Sequence, residues 1–395
     1  MGPDMSEQEF LHIVDDEKFI DAAHRICEAA APGRHRFVMF TDAAKDRFIK
    51  IAPVERRALA MLGSRREIER LCEGHSVVVL HSLEERKLAL LRNLPQRMTV
   101  WWLGWGFDYY DLTQTELLMP LTRAARPRAP PEPWLARLRA RWQRRFDKSG
   151  SRVELLQRVD YFSPVIAEDF ALVQQALPAF RARSLAWKYG TLEDDFIRGF
   201  EGRTVNGPNV LIGNSATMTN NHLEAFELLR GLELGGRRVI VPLSYGNAAY
   251  QGIIEAQGEA RFGAAFQPLR DFMPIEQYVA TVASCSIVVM NHLRQQAVGN
   301  VVIMLYLGAK VFLDARNPLF ANLRGHGFHV FATEQLVAEF SHTLDDERQR
   351  ENRNRLTTLW SRQAVWHEAR DSFEVLLARR ARSGTEALQA SRYFA

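Results

Sequence analysis

Cysteine is scarce in this chain of 395 residues, and long hydrophobic runs are missing. The three cysteines are odd in number and widely spaced, which argues against a disulfide framework and against a zinc cluster. The longest apolar candidate, at residues 301–313, is interrupted by a glycine and a lysine and falls short of a transmembrane helix. The amino terminus has no cationic start or apolar core, so it does not resemble a signal peptide. We therefore expect a protein of the reducing cytoplasm.

Charge of one sign is not in large excess either, because the formal net charge is only +4. The basic excess is local, since residues 123–146 contain eight arginines and one acidic residue. The predicted membrane-binding residues of this segment are Trp134, Arg139, Arg141, Trp142 and Arg145. The apolar residues of the segment recur at helical spacing with arginines between them, at Trp134, Leu135, Leu138, Trp142 and Phe146. This pattern favours a helix on an anionic membrane surface, and a solvated helix whose aromatic residues pack on its own domain is the alternative. No nucleic-acid-binding motif accompanies the segment, so we expect no nucleic-acid partner.

The chain has no G-x-G-x-x-G or Walker loop, but residues 210–226 combine a buried strand, a polar loop and a helix start. Gly213 follows the strand and permits a sharp turn. Asn221 and Glu224 have the spacing of a capping box at the start of the helix. Because N–H groups at a helix start attract phosphate oxygens, the segment suits a diphosphate. A purely structural turn is the alternative.

Strands and helices alternate regularly in the second half of the chain. The predicted strands there lie at residues 209–212, 238–242, 264–268, 286–290 and 310–313. This order predicts a parallel sheet with helices on both faces. Ligands bind beyond the carboxyl ends of such strands, so the loops at 213–221, 242–247 and 291–300 should share one rim. The less regular first half has predicted strands at 37–40, 77–80 and 99–103, and helix-forming residues at 54–72.

Five ordered motifs closely resemble those of the family 56 glycosyltransferases. They are Val210–Ser215 with Asn221 and His222, Val239–Tyr245, Tyr278–Ser284, Arg294–Gln296 with Gly299, and Asn317–Phe320. The resemblance covers residues 100–333 and is strongest over 209–333. It implies an α/β chain with the GT-B fold, in which two Rossmann-like domains face a central cleft.

The resemblance also implies a division of labour between the domains. In a GT-B enzyme the carboxyl-terminal domain binds the nucleotide sugar and the amino-terminal domain binds the acceptor. We therefore expect an acceptor domain at residues 1–187, a linker at 188–207 and a nucleotide-sugar domain at 208–359. Residues 360–395 should form helices that cross back to the first domain.

The predicted nucleotide-sugar site draws on several loops of the second domain. Its residues are Gly213, Asn214, Ser215, His222, Pro242, Tyr245, Glu276, Tyr278, Arg294, Gln295, Gln296, Gly299 and Asn300. Hydroxyl, amide and N–H groups bind phosphate and sugar oxygens without a metal, and an arginine neutralises a departing diphosphate. Helix capping is the structural alternative for His222 and Glu276, a turn role for Tyr245, and a surface ion pair for the arginine.

In the first domain, the run from Trp105 to Tyr110 resembles the family's Trp-Gly-x-Asp-x-Tyr motif. Glycosyl transfer needs a base for the acceptor hydroxyl if it inverts, or a hydrogen-bonding partner on the front face if it retains. Asp108 is the first candidate for this catalytic role, and His81, at a strand end, is the second. Trp102, Trp105 and Tyr109 are the predicted acceptor-binding residues, because aromatic faces stack on sugar rings. A helix cap or a surface role for Asp108 and a buried polar role for His81 are the alternatives.

The resemblance implies a metal-independent hexosyltransferase that has no bound cofactor and uses a TDP-sugar as co-substrate. The family's typical reaction transfers 4-acetamido-4,6-dideoxygalactose to a lipid-linked saccharide of enterobacterial common antigen. We therefore expect a role in bacterial surface polysaccharide or O-antigen synthesis, peripheral on the cytoplasmic face of the inner membrane. Another GT-B enzyme, such as a nucleotide-sugar epimerase, and a non-catalytic nucleotide- or carbohydrate-binding protein are the alternatives.

Overall fold

The computed structural model describes residues 9–43, 46–113, 115–127 and 152–393, with side chains described as far as residue 378. Its strands are β1 (Phe10–Val14), β2 (His35–Phe40), β3 (Val54–Arg57), β4 (Val77–His81), β5 (Thr99–Leu103), β6 (Tyr161–Ser163), β7 (Arg183–Ser184), β8 (Asn209–Ile212), β9 (Val239–Pro242), β10 (Phe266–Leu269), β11 (Cys285–Met290), β12 (Lys310–Leu313) and β13 (Phe331–Ala332). Its α-helices are α1 (Ile20–Ala30), α2 (Arg65–Leu71), α3 (Glu85–Asn93), α4 (Pro120–Ala124), α5 (Arg152–Leu156), α6 (Glu168–Ala176), α7 (His222–Leu228), α8 (Ala248–Phe262), α9 (Ile275–Val282), α10 (Val298–Leu307), α11 (Pro318–Gly325), α12 (Leu336–Glu339), α13 (Asp346–Trp360) and α14 (Arg362–Tyr393).

The chain divides into two compact units, which do not follow the chain order strictly. Of the described residues, unit 1 contains those up to 113, those from 152 to 194 and those from 362 onward. Unit 2 contains residues 115–127 and 195–361. The sequence assigned all residues up to 187 to the first domain, so the structure differs from that expectation at residues 115–127.

Unit 1 is built on a seven-stranded sheet in the order β3-β2-β1-β4-β5-β6-β7, in which every pair of neighbours is parallel. Its central strands are buried on both faces, as a parallel sheet covered by helices requires. Helix α14 covers one side, where Phe373 packs against Phe10 and Trp101. The sequence did not predict β1, because His12 interrupts its apolar run, and it predicted helix at β3, whose Val-Glu-Arg-Arg sequence is charged.

Unit 2 is built on a six-stranded parallel sheet in the order β10-β9-β8-β11-β12-β13. The five predicted strands of this half are all present, with ends that differ by at most a few residues. β8 lies between β9 and β11, so the loops that follow these three strands leave the sheet at one carboxyl edge. Val210, Ile212, Val239, Val241 and Val289 form part of the core beneath that edge.

Helix α4 belongs to unit 2 because α7 holds it. The Glu224 carboxylate accepts the backbone N–H of Leu121 at 2.7 Å and that of Thr122 at 3.0 Å. The Asn221 side chain accepts the Met119 N–H at 2.9 Å. The predicted capping box between Asn221 and Glu224 is therefore wrong, since both side chains bind α4 and its approach segment instead of the amino end of α7.

Within the described part of the chain, we find no helix that is both long enough and apolar enough to span a bilayer. The five predicted membrane-binding residues lie outside the described residues, so their helix stays a prediction. They are Trp134, Arg139, Arg141, Trp142 and Arg145.

Candidate functional site

Three loops at the carboxyl edge of unit 2 are joined by side-chain hydrogen bonds. Asn214, after β8, donates from Nδ2 to the Tyr245 hydroxyl after β9 at 2.8 Å. Gln296, after β11, donates from Nε2 to Oδ1 of Asn214 at 3.0 Å. The Gln296 carbonyl oxygen in turn accepts the Thr219 hydroxyl at 2.6 Å and Nε of Arg294 at 3.2 Å. We call these five residues the polar wall; the predicted common rim is thus a connected network of amides, a phenol and a guanidinium.

The β8 loop owes its shape to Gly213 and Asn220. Gly213 has φ +65°, and a Cβ there would lie 2.6 Å from Oδ1 of Asn220 and 2.9 Å from Nε2 of His222. The Asn220 oxygen accepts the Asn214 N–H at 2.9 Å, while its Nδ2 donates to the Ser215 carbonyl at 3.0 Å. The buried Asn220 side chain therefore braces the turn from inside and presents Asn214 at the rim.

Two buried histidines lie behind this loop. Burial lowers the pKa of His222 to about 3 and, together with Arg294, that of His292 to about 3, so both rings are neutral. Nε2 of His292 lies 2.9 Å from the Asn220 oxygen and must donate, because that oxygen is an acceptor. Nε2 of His222 has no hydrogen-bond partner among the described residues and faces the Gly213 backbone. His222 is completely buried in this structure, and its predicted contact with the nucleotide stays a prediction.

The β9 loop is tied to the β8 loop through the backbone. Ala216 N–H donates to the Tyr245 carbonyl at 2.7 Å, and Asn247 N–H donates to the Ala216 carbonyl at 3.0 Å. Gly246 has φ +123°, and any Cβ there would lie 2.5 Å from the Ala216 carbonyl carbon. Pro242 is buried at the strand end, whereas the Tyr245 side chain is 47% exposed. Tyr245 is therefore the side chain of this loop that is exposed enough to contact a ligand.

The β11 loop leads into helix α10 through Ala297, which adopts a left-handed conformation with φ +59°. Gln295 is buried just before it, and Gly299 and Asn300 are half-buried in the first turn. A Cβ at Gly299 would lie 3.2 Å from the Phe196 ring. The first N–H groups of a helix have no partners within the helix, so this end of α10 suits an anion beside the polar wall.

The remaining predicted residues of unit 2 lie at α9. Glu276 is exposed in the first turn of that helix. The Tyr278 ring is half-buried, burial raises the pKa of its hydroxyl, and this oxygen has no hydrogen-bond partner among the described residues. Their predicted contacts with the nucleotide stay predictions.

In unit 1, Asp108 is buried and its carboxylate accepts three N–H donors. Oδ2 accepts the Leu83 N–H and the Trp102 indole at 2.8 Å each, and Oδ1 accepts the Trp105 N–H at 2.8 Å. Burial raises the pKa of Asp108, and these donors oppose the shift. This first candidate for the catalytic role therefore joins the loops after β4 and β5, as a positioning group does.

His81, the second candidate, is a member of a buried chain of rings. Its Nδ1 lies 2.8 Å from the Tyr189 hydroxyl, its Nε2 lies 3.0 Å from Nδ1 of His12, and Nε2 of His12 lies 2.9 Å from Nδ1 of His35. Burial lowers the pKa of His81 well below its usual range, with Lys87 adding to the effect. Each neutral ring carries one N–H, so all hydrogen bonds along this series of rings must point in the same direction, with each ring donating to one neighbour and accepting from the other. Protonation of His81 by an acceptor hydroxyl would put a charge in this core.

The predicted acceptor-binding residues separate into two kinds. Trp102 and Tyr109 are fully buried, and the Tyr109 hydroxyl donates to Asp169 at 2.6 Å. The structure leaves neither ring a surface for a sugar, because Trp102 lies on β5, which is buried on both faces, and Tyr109 packs against Trp102 and Phe162. Trp105 is half-buried, so it keeps an open part of its ring.

A family model described as 4-alpha-L-fucosyltransferase glycosyl transferase group 56 matches residues 167–366, about half of the chain. The chain belongs to glycosyltransferase family 56. The matched residues include the complete polar wall and the loops after β8, β9 and β11. This family 56 chain is therefore a glycosyltransferase, and the resemblance inferred from its motifs is confirmed.

Solved structures of other glycosyltransferases share its fold at low identity. HepE from Anabaena, in complex with UDP and glucose, is 13% identical with a TM-score of 0.58, and the alignment covers 93% of this chain and 99% of HepE. A glycosyltransferase from Rickettsia africae is 10% identical with a TM-score of 0.61, covering 94% and 99%. Sucrose-phosphate synthase from Thermosynechococcus elongatus is 11% identical with a TM-score of 0.58, covering 94% and 100%. The predicted GT-B fold is confirmed.

The sequence missed a charged cluster at the carboxyl edge of unit 1 in this family 56 enzyme. Asp15, directly after β1, pairs with Nζ of the buried Lys87 at 2.5 Å and with Arg86 at 2.7 Å. Lys87 also donates to the Ser82 carbonyl at 3.3 Å. Asp15 and Asp16 directly follow the apolar run of β1, so the cluster could have been predicted only if β1 had been predicted.

One trio in the described residues has the geometry of a metal site. The ligand atoms of His12, Cys27 and His35 lie within 4.8 Å of one another, and all three residues are buried. The His12 and His35 rings already hydrogen-bond each other at 2.9 Å. Burial also raises the pKa of the Cys27 thiol well above its usual range, which opposes the thiolate that a metal needs.

Proposed function

We propose that this family 56 enzyme binds the diphosphate and sugar of a nucleotide sugar along the polar wall of unit 2. The observation that carries the proposal is the hydrogen-bonded connection of three rim loops through Asn214, Tyr245 and Gln296. Amide and phenol groups fixed in one orientation offer donors and acceptors at defined positions, as sugar hydroxyls and phosphate oxygens require. The start of α10 and the Arg294 guanidinium add positive character on the same side.

The chemistry assigned to this edge is departure of the nucleoside diphosphate. The acceptor hydroxyl oxygen forms a bond to the anomeric carbon while the bond from that carbon to the diphosphate oxygen breaks, and the hydroxyl proton passes to an oxygen of the departing diphosphate or to water. Negative charge then grows on the departing phosphate, where N–H donors stabilise it without a metal. Among nucleotides we favour TDP, because the motifs of the three loops resemble a family whose typical donor is a TDP-sugar. The HepE structure contains UDP, which supports a diphosphate ligand for this fold.

Calorimetric titration of the full chain with TDP, UDP and GDP tests this proposal. We expect TDP to bind, and Asn214→Ala to weaken it about tenfold or more, since the substitution removes the link between the β8 and β11 loops. Gln335→Ala is the matched control, because Gln335 is an exposed amide of the same unit beyond β13. Absence of binding by all three nucleotides, or equal losses in both variants, would contradict the proposal.

We further propose a lipid-linked saccharide as acceptor and a 4-acetamido-4,6-dideoxy hexose or related deoxysugar as the transferred group. Both rest on the resemblance of the motifs. A lipid-linked acceptor also gives the basic segment at residues 123–146 a purpose, since clustered arginines with tryptophans bind anionic lipid surfaces. Serine substitution of Arg139, Arg141, Arg144 and Arg145 should reduce sedimentation with phosphatidylglycerol vesicles, and unchanged sedimentation would argue against membrane contact.

A further inference from the structure

Unit 2 contains a cavity of about 340 Å³ at the outer edge of its sheet, away from the polar wall. Its walls include Phe320 and Arg324 of α11, Phe331 of β13 and Arg348 of α13, and we call it the edge cavity. β13 is the last strand of the sheet, and β12 separates it from β11, whose loop carries part of the polar wall. Of the described residues that line the edge cavity, none belongs to the polar wall, so the two are separate features.

Two guanidinium groups line this cavity without a strong partner. Arg324, in the last turn of α11, makes no hydrogen bond or ion pair with any other described residue. Arg348, in the first turn of α13, lies 3.4 Å from the Asp345 carboxylate, and both of these side chains are more than half exposed. An exposed ion pair of this kind contributes little, so the Arg348 guanidinium remains available to a ligand. No acidic residue is among the described residues of the cavity walls, so the lining is positively charged.

The backbone beside β13 is already hydrogen-bonded. The buried Asn352 side chain accepts the His329 N–H at 2.8 Å and donates to the His329 carbonyl at 3.4 Å. The Val330 N–H donates to the Phe328 carbonyl at 3.1 Å. The His329 ring also lines the cavity, and its Nε2 is engaged with the Glu351 carboxylate. A ligand of the edge cavity must therefore be recognised by side chains, with the two arginines as its charged donors, and an added peptide strand does not fit.

We propose that the edge cavity binds a small organic phosphate, a ligand additional to the nucleotide sugar. A phosphate monoester carries about −1.5 to −2 charge at pH 7, which matches two guanidinium groups. The planar fork of each guanidinium offers paired N–H donors to phosphate oxygens.

The remaining walls suit the organic part of the same ligand. Phe320 and Phe331 are half-buried and Val330 is buried, so these side chains offer apolar contact beside the arginines. Small-molecule pockets have volumes of about 300–1,000 Å³, and the edge cavity lies at the lower end of this range. It therefore suits a small phosphate monoester better than a complete nucleotide sugar.

Calorimetric titration of the full chain with phenyl phosphate tests the edge cavity. We expect phenyl phosphate to bind, and to bind more tightly than inorganic phosphate, since its ring adds contact with the apolar walls. Arg324→Ala and Arg348→Ala should each weaken binding about tenfold or more, because each removes charged N–H donors. Arg324→Lys should restore only part of the affinity, since lysine keeps the charge and lacks the paired donors.

Two further variants serve as controls. Arg350→Ala is matched to Arg348→Ala, because Arg350 is an exposed arginine of the same helix that does not line the cavity. Asn214→Ala alters the polar wall and should leave the affinity for phenyl phosphate unchanged. The unfolding temperature of each variant checks that the fold is intact.

Three results would overturn this assignment. One is the absence of phenyl phosphate binding at millimolar concentrations. Another is a loss in Arg350→Ala or Asn214→Ala as large as that in Arg324→Ala, which would attribute binding to general surface charge or to the polar wall. The third is sedimentation of the wild type with phosphatidylglycerol vesicles that Arg324→Ala abolishes, which would assign the arginines to a lipid headgroup.

Discussion

The Asp108 carboxylate accepts the backbone N–H groups of Leu83 and Trp105, in the loops after β4 and β5, and the indole N–H of Trp102 on β5. Asp108→Asn places an NH2 group against one of these donors, which leaves a buried pair of donors facing each other. We expect the free energy of unfolding to fall by about 1–3 kcal/mol, as for other unsatisfied buried groups. If Asp108 were instead a catalytic base, the same substitution would remove activity and leave stability unchanged. Urea denaturation distinguishes a positioning role from a catalytic role.

Gly213 gives a second prediction at this scale. Gly213→Ala combines a positive φ with a Cβ that would lie 2.6 Å from the Asn220 oxygen, so the β8 loop must move. Gly231→Ala is the matched control, because Gly231 has φ +79° and open space around the Cβ position. We expect strain alone, about 1 kcal/mol, in the control, and a larger loss of stability together with weaker TDP binding at Gly213. Equal losses in thermal denaturation would argue against the bracing role of Asn220.

The buried histidines predict how stability depends on pH. The pKa of His222 and His292 is about 3 in the folded chain, below the usual 6.5, so the unfolded chain binds protons that the folded chain does not. Their contribution is complete above pH 6.5 and is lost as the pH falls toward 3, at about 1.4 kcal/mol per pH unit for each ring. Urea midpoints at pH 7 and pH 5 should therefore differ less in His222→Gln than in the wild type. His326→Gln, at an exposed histidine, should keep the wild-type difference.

At the scale of elements, helix α4 depends on one carboxylate of α7. Glu224→Ala removes the acceptor of the Leu121 and Thr122 N–H groups and of the Thr122 hydroxyl. We expect faster hydrogen exchange over residues 115–127 with little change elsewhere. Glu227→Ala is the matched control on the same helix, because Glu227 makes surface ion pairs with Arg230 and Arg261. Similar exchange in both variants would show that α4 is held by other contacts.

The strands of unit 2 were predictable from sequence because each is a short apolar run between turn residues. The common rim followed from the βα order alone, and Asn214, Tyr245 and Gln296 do meet there. β1 was not predictable by the same pattern, because His12 is buried in a hydrogen-bonded chain whose other members lie on different strands. When a polar residue interrupts an apolar run, the strand cannot be predicted from the apolar pattern unless the distant hydrogen-bond partner of that residue is known.

The prediction of a capping box at α7 was wrong for a related reason. The spacing of Asn221 and Glu224 fits a capping box, yet their partners lie about a hundred positions earlier in the chain. The same limit applies to Asp108, whose environment comes from the ends of β4 and β5. Local spacing identifies which side chains can accept N–H groups, whereas tertiary contacts decide which N–H groups they accept.

For the whole molecule, two parallel sheets provide two carboxyl edges with different chemistry. The edge of unit 2 presents the polar wall, made of amides, a phenol and an arginine. The edge of unit 1 presents aromatic rings. We assign the charged donor to the polar wall, whose amides and arginine suit phosphate oxygens.

Hydrogen–deuterium exchange of the full chain with and without TDP tests the central claim most directly, because it reports where the nucleotide binds. The account predicts protection on TDP addition at residues 213–221, 242–247 and 294–300 together, with the Asn214→Ala chain losing that protection. Protection confined to unit 1, or no protection in any of these three loops at saturating TDP, would contradict the assignment of the donor site to the polar wall.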